Sequence, residues 1–333
     1  MNISNKKILD SFFYCLKFYD NTQKSGHWEK YDSRRGLYTI KNLKNFRNNF
    51  LSQGLDDEYS KSEINKLFNK LTKYEKQFLF KNKNKRNIGN KINYIIKSKT
   101  KFYGTEFFPI KWFLEIKKYL NLEENNILEI GAGFGEFAQI IIKNIKCKYL
   151  IFDLPEANVL STYYLNKNLK NKKIYIIKKN SNFFLKKSTF DKYDIFILPP
   201  WCKLDKKIKF DIIINTRSMM EMSYNTISNY FSLIQKHIRN YGIFLNINRY
   251  LKKTKKDKIK ISKFPYDKNW EVIVSKKSWA QNWIHMLIAK RIIKNGNIKK
   301  HLYLLKFYSL KYEIIQFFHE LKRKYKNIFK TNY

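Results

Sequence analysis

A chain of 333 residues with 44% hydrophobic and 17% aromatic content is long enough for a full α/β core plus an accessory region, and too apolar for disorder. Its net charge of +41 suggests nucleic acid, yet the 68 basic residues are 59 Lys and only 9 Arg, whereas bidentate recognition of phosphates and bases favours the Arg fork. An AT-rich coding bias accounts for a Lys, Asn and Ile excess on solvent-facing positions, so a nucleic-acid partner is not expected. No apolar run approaches the ~18 residues of a membrane span, and residues 8–18 are broken by Asp10 and Lys17. A cytoplasmic protein is therefore expected. Cys15, Cys147 and Cys202 are scattered, with no C-x-x-C pair, which predicts free buried thiols and neither a disulfide frame nor a zinc site.

Residues 1–105 show helical periodicity and no alternating strand pattern. Ile8, Phe12, Cys15, Leu16 and Tyr19 recur at three and four. Ser60 and Glu63 stand in capping-box relation before Ile64, Leu67, Phe68, Leu71, Tyr74 and Phe78, which predicts one further helix. Residues 81–91 form a basic polar run with loop character. Plain core packing accounts for most of these positions; a helical cap closing over a substrate pocket is the functional alternative.

From Phe107 the pattern changes. A helix over 109–120 leads to a strand at 126–130, a glycine-rich turn at 131–135, and a helix through Ile142. A second strand, 149–152, ends in Asp153, and a helix follows over 156–169. Further strands are predicted at 173–177, 194–198, 211–215 and 243–247, with a helix over 223–240 before the last. Strands alternating with helices predict a doubly wound, mostly parallel α/β sheet with its ligand at the strand C-termini. The runs 270–274 and 283–288 predict an antiparallel hairpin closing that sheet. Beyond Asn295-Gly296, one helix carries Phe307, Leu310, Ile314, Phe317, Leu321, Tyr325 and Ile328 as a seam flanked by Lys. That seam is expected to dock on the chain's own domain or on a second copy, with contact to an anionic membrane surface as the alternative.

The glycines of the turn stand at 131, 133 and 135, and Glu136 occupies the place of a dinucleotide fingerprint's third glycine. Asp153 lies 18 residues after Gly135, close to the ~20 at which a nucleotide-binding βαβ unit places its ribose-binding acid. Its carboxylate can accept from two ribose hydroxyls; the competing role is that of a cap on the following helix. Residues 119–142 contain neither Lys nor Arg, which suits a ligand with a positive centre and no phosphate.

Glu129-Ile-Gly-Ala-Gly-Phe-Gly135 resembles motif I of class I S-adenosylmethionine-dependent methyltransferases. Together with Phe152-Asp-Leu-Pro155, Leu198-Pro-Pro-Trp201 and the segment from Phe210 to Met222, it is similar to bacterial sugar O-methyltransferases that accompany surface-polysaccharide genes. The likeness covers about 105–290 and is looser at both ends; Met219 and Met220 stand where that family commonly has aromatic and Gln residues. It implies a Rossmann-like class I methyltransferase sheet at 106–295, an N-terminal helical region at 1–105 and a basic amphipathic helix at 296–333. It further implies S-adenosylmethionine held by Glu129, Gly131, Ala132, Gly133, Gly135, Asp153, Leu154 and Asn215. The acceptor would be a sugar, nucleotide-sugar or glycan hydroxyl, and homo-oligomers are compatible with it.

A sugar hydroxyl is a weak nucleophile, so a positioned base is expected, with Glu221 first and His285 second. A carboxylate favoured at a helix N-terminus and a satisfied buried ring are their respective plain alternatives. Asp194, Asp211 and Glu221 are candidate ligands should a divalent cation such as magnesium be required. The Leu-Pro-Pro-Trp loop is similar to the Pro-Pro-aromatic motif of nucleic-acid amino methyltransferases, but Leu198 lacks the side-chain acceptor which that chemistry needs, so the loop is expected to wall the site. A nucleic-acid methyltransferase and a non-catalytic binding subunit of the same fold are the rival readings.

Overall fold

The computed structural model describes residues 3–19, 32–48, 51, 59–82, 87–89, 94–95, 101–102, 106–120, 123–254 and 257–330. Its frame is an eight-stranded sheet: β1 Asn125–Ile130, β2 Cys147–Phe152, β3 Ile174–Ile176, β4 Ile195–Leu198, β5 Phe210–Thr216, β6 Ile238–Arg249, β7 Trp270–Ser278 and β8 Gln281–Arg291. The order across the sheet is β7-β8-β6-β5-β1-β2-β4-β3. All pairs from β6 to β3 are parallel, and β8 runs antiparallel to both β6 and β7. The expected mostly parallel α/β sheet with a closing antiparallel hairpin is thus present. The order of the strands along the chain changes side at β1, which puts a crevice at the C-terminal ends of β1, β2 and β5.

Eight helices are used below: α1 Asn5–Leu16, α2 Lys61–Asn69, α3 Lys73–Asn82, α4 Phe107–Ile116, α5 Glu136–Asn144, α6 Pro155–Asn168, α7 Tyr224–His237 and α8 Ile298–Lys330. Strand side chains alternate between two cores. Ile127, Tyr149, Ile151, Ile212 and Ile214 face one that also takes α4, α5, α6 and the N-terminal helices. Leu128, Ile130, Leu150, Phe152 and Ile213 face the other, shared with α7 and α8. Pro at the first position of α6 suits a helix start, and 12 of its 14 residues are buried because α1 covers the side turned away from the sheet. The Asn166 amide pairs with both the N–H and the C=O of Ile3, at 3.0 and 2.8 Å, tying the chain's start to α6. The N-terminal helices therefore share one continuous core with the sheet. All three cysteines are free and buried.

Three expectations need correction. The single helix expected after Ser60 is two. Ser60–Glu63 forms its capping box, but Thr72 and Glu75 form a second reciprocal pair (Thr72 N–H to Glu75 at 2.9 Å, Glu75 N–H to Thr72 Oγ1 at 3.2 Å), which starts α3 afresh. Residues 94–95 and 101–102 pair as a short antiparallel ladder in the region where no strand was expected. The expected 81–91 loop lies mostly outside the described residues.

The third correction concerns α8. It docks on the domain, but through Ile298, Leu305 and Ser309, with Tyr312 stacked on Tyr250 at 5.2 Å between ring centres. The predicted seam of Phe307, Leu310, Ile314 and Phe317 points to solvent, each 50–56% exposed. Both stripes step by three and four, so periodicity alone cannot choose between them. Among the described residues, no helix is long and apolar enough to cross a membrane.

Candidate active site

The glycine turn is built by backbone that L side chains rarely adopt. Gly131, Gly133 and Gly135 have φ of +75°, +58° and +88°. A Cβ on Gly131 would collide with the Ser218 hydroxyl, so that position has no room as well as no freedom. The Gly131 N–H donates to Phe152 O at 2.8 Å, drawing the turn against the end of β2. There Asp153 spans two loops: one carboxylate oxygen accepts from Gly133 N–H and the other from Leu154 N–H, both at 2.8 Å. Leu154, not Asp153, holds the cap position of α6. Burial pushes the Asp153 carboxyl up to about 7, against those two N–H groups, with Glu156 adding repulsion.

The crevice above these strands is a cavity of about 410 Å³. Gly131, Ala132, Gly133, Asp153 and Leu154 line it, as do Glu129 and Glu221. Gly135 does not; its φ lets it start α5, and a Cβ there would press on Leu165 at 3.2 Å. Glu129 is 1% exposed, and one of its oxygens accepts from the Tyr149 hydroxyl at 2.7 Å. The other, Oε1, is buried without a hydrogen-bond partner. Burial raises this carboxyl to about 8, against the Tyr149 hydrogen bond and with Asp153 adding repulsion. Glu221 ends a short 3-10 turn, Met219–Glu221, and Lys252 Nζ lies 3.9 Å from it.

Two sequence candidates sit elsewhere. Asn215 is fully buried and does not line the cavity. Its amide donates to Ile130 O at 2.8 Å and to Ser218, while its carbonyl accepts from Asn248 at 2.8 Å and from Met219 N–H at 3.3 Å. It holds the loop after β5 against the glycine turn, a positioning place. His285 lies within the closing hairpin, bonded to Ser275 Oγ at 3.1 Å and Tyr250 Oη at 3.0 Å, and outside the cavity lining. Burial, with His301 adding repulsion, pushes its pKa down to about 3 and keeps it neutral. Its satisfied, enclosed ring removes it from the candidate bases.

The three-acid metal set is also undone by geometry. Asp194 and Asp211 flank the N-terminal ends of β4 and β5, whereas Glu221 lies beyond the C-terminal end of β5, at the opposite edge of the sheet. Asp211 accepts from Asn126 N–H at 2.8 Å and pairs with Arg239 at 2.7 Å, and Asp194 accepts from Lys173 N–H at 2.6 Å.

The remaining lining was not foreseen. Phe108, Pro109 and Trp112 of α4 wall one side, and Asn225, Thr226, Asn229 and Tyr230 of α7 another. Arg217, in left-handed backbone at φ +65°, also faces the cavity, and Pro200 supplies the expected wall from the Leu-Pro-Pro-Trp loop. Among the described residues, lining begins at Phe108. The N-terminal region instead supports the turn from outside, with Arg47 over the Phe134 ring at 4.7 Å and 3.6 Å from Glu136. Asn158 binds both Asp153 O at 2.8 Å and Leu198 O at 2.9 Å, joining two strand ends. Asn246 and Asn248, alternating with apolar residues in the buried half of β6, were the legible sign of a buried amide network there. The α4 and α7 contributions left no sign, since they depend on tertiary placement.

No protein-family model matches the chain, and no curated protein matches it. Solved structures similar to part of it include the pyocyanin biosynthetic protein PhzM (12% identity, 56% of this chain and 58% of that one, TM-score 0.33). TrmN from Thermus thermophilus is similar at 7% identity over 55% of this chain and 49% of that one, TM-score 0.36. A SAM-dependent methyltransferase from Aquifex aeolicus is similar at 16% identity over 55% of this chain and 89% of that one, TM-score 0.33. With TM-scores below 0.5, these overlaps do not decide what the cavity binds. That question rests on the chain's own turn, acids and lining.

Proposed function

We propose that the chain is an S-adenosylmethionine-dependent O-methyltransferase acting on a sugar hydroxyl, in a free, nucleotide-linked or polymeric acceptor. The observation that carries the cofactor reading is the pairing of a three-glycine turn with two cavity-lining acids at adjoining strand ends, one of which has a buried oxygen without a partner. Glu129 and Asp153 line the cavity, whose other acids Glu136 and Glu221 are paired with Arg47 and Lys252, and the two carboxyls at the turn favour a ligand with a cationic centre. Glu129 and Asp153 would hold the cofactor's polar groups, with Gly131, Ala132, Gly133 and Leu154 as the backbone wall. The chemistry S-adenosylmethionine supplies is an electrophilic methyl group, passed to an attacking oxygen as its bond to sulfur breaks.

Glu221 is the proposed base, positioned to take the proton of the acceptor hydroxyl, with Lys252 Nζ 3.9 Å from it. The amides of Asn225 and Asn229 with the Trp112 and Tyr230 rings give hydrogen bonds and flat apolar faces, a combination that suits a polyhydroxylated ring. The +41 charge is what favours a nucleic-acid acceptor instead, but Leu198 lacks the acceptor atom for amine methylation, and the cavity lining includes, among the described residues, four acids and no lysine. The test is transfer of labelled methyl from S-adenosylmethionine to separate nucleotide-sugar, glycan, RNA and DNA fractions. Label in the sugar fractions and not in the nucleic acids is expected. Label in RNA or DNA alone would overturn the sugar reading, and no cofactor binding by folded protein would leave a binding subunit.

A further inference from the structure

α8 carries two apolar stripes among its lysines, and only one of them is covered by the domain. Tyr303, Phe307, Leu310, Ile314, Phe317 and Phe318 stand 50–61% exposed over the opposite arc. Interspersed with them are the exposed Lys299, Lys300, Lys311 and Lys322. The acids of the described helix are turned the other way: Glu313 binds Lys258 and Lys260 at 3.0 and 2.6 Å, and Glu320 binds Lys253 at 2.8 Å. The outward arc therefore combines large apolar side chains with positive charge and carries no carboxylate over 298–322.

We infer that this outer face of α8 docks the protein on the surface of an anionic lipid bilayer, lying in the interface with its rings among the acyl chains and its lysines at the headgroups. Charge decides the occupant. A second copy pairing this face on itself would bring lysine against lysine with no acid to answer, whereas anionic headgroups complement every charge on the arc. The helix is not apolar enough to cross the bilayer, so it lies on the membrane. It packs against Leu251–Lys253, the segment that carries Lys252 to Glu221 at the cavity. Docking would thus hold the cavity close to the lipid surface.

The experiment is co-sedimentation of the full chain with phosphatidylcholine vesicles, with and without phosphatidylglycerol. Binding to the anionic vesicles at least about tenfold tighter than to the neutral ones is expected. Replacing Phe307→Ser together with Phe318→Ser changes no charge and is expected to weaken it at least about tenfold. Binding of that variant equal to wild type would show that lysines anywhere on the surface suffice, and would overturn the inference. So would absence of wild-type binding, or a solution dimer that the double variant dissociates. Independently of any loss-of-binding variant, Phe307→Trp should gain fluorescence quenched by brominated anionic lipid; quenching no greater than that of the wild-type tryptophans would also overturn it.

Discussion

The cavity and the outer face of α8 are both aromatic and both accessible, but they are opposite in charge. Four carboxyl groups and one guanidinium line the cavity; the outer face of α8 carries lysines and no acid over 298–322. A net charge of +41 describes neither place. It is a sum over a surface, and the site where chemistry is proposed has been kept free of most of it. Burial separates them further. Glu129 and Asp153 are desolvated, so their protonation responds to a ligand; the lysines of α8 stand in water, where salt screens them.

The sharpest way to break this comparison is to put a cation in the cavity. Gly133→Arg adds a guanidinium at a position of φ +58°, and S-adenosylmethionine binding is expected to weaken by about 100-fold or more, measured by calorimetry on protein whose circular dichroism matches wild type. Heat of binding like wild type's would remove the turn from the cofactor site. Next comes Glu221→Gln, which keeps shape and removes the base. Turnover should fall by about 100-fold with cofactor affinity held within about twofold. Equal turnover in the two proteins would take Glu221 out of the mechanism.

Acidity offers a third, smaller effect. The Asp153 and Glu129 carboxyls are raised to about 7 and about 8, above the roughly 4 of an unfolded chain. Groups raised in this way favour the folded state when protonated. Their contribution is complete below about pH 4 and is lost as pH rises through 7 and 8. Thermal stability without ligand should therefore decline from about pH 4 to about pH 8 and level off above it. A cationic ligand prefers the ionised acids, so S-adenosylmethionine affinity should rise over the same window, with proton release visible as a buffer-dependent heat. Glu129→Gln should remove the upper part of that rise; a profile unchanged by this substitution would mean that Glu129 does not meet the ligand. The smallest effect on activity is expected from His285→Gln. It should cost about 1–2 kcal/mol of stability in urea, for lost buried hydrogen bonds, and leave turnover within about twofold. A large loss of turnover at unchanged stability would return His285 to the reaction.

The difference between the two regions also separates what was legible in the sequence from what was not. Glu129 and the turn are nearly contiguous, and Asp153 follows one helix and one strand later, a spacing set by strand, loop and helix geometry, so Glu129, Gly131, Gly133 and Asp153 could be read directly. The walls of the cavity come from α4 and α7, far away in the chain, and nothing local marks Trp112 or Asn229 as neighbours of Asp153. Asn215 and His285 misled because a polar residue at a strand end looks the same whether it faces a ligand or spends its hydrogen bonds inside. The α8 seam misled for a different reason. On a helix with two apolar stripes, periodicity states that a face is apolar and leaves open which one the domain covers. The break at Lys70–Thr72 could have been found, since Thr72 and Glu75 repeat the spacing of Ser60 and Glu63.

The strand order has a consequence for the birth of the chain. β8 lies between β6 and β7 although it is made after both. While a ribosome is still extending the polypeptide, β6 has its β5 neighbour but an open ladder of N–H and C=O groups on its other edge, and β7 has no partner within the sheet. Only when Arg291 has emerged can β8 slide into the gap and close both. Nascent or truncated chains that stop short of β8 would present that unpaired edge beside apolar side chains, the combination that templates aggregation. The last sheet strand to be synthesised is thus the one on which safe passage through folding depends.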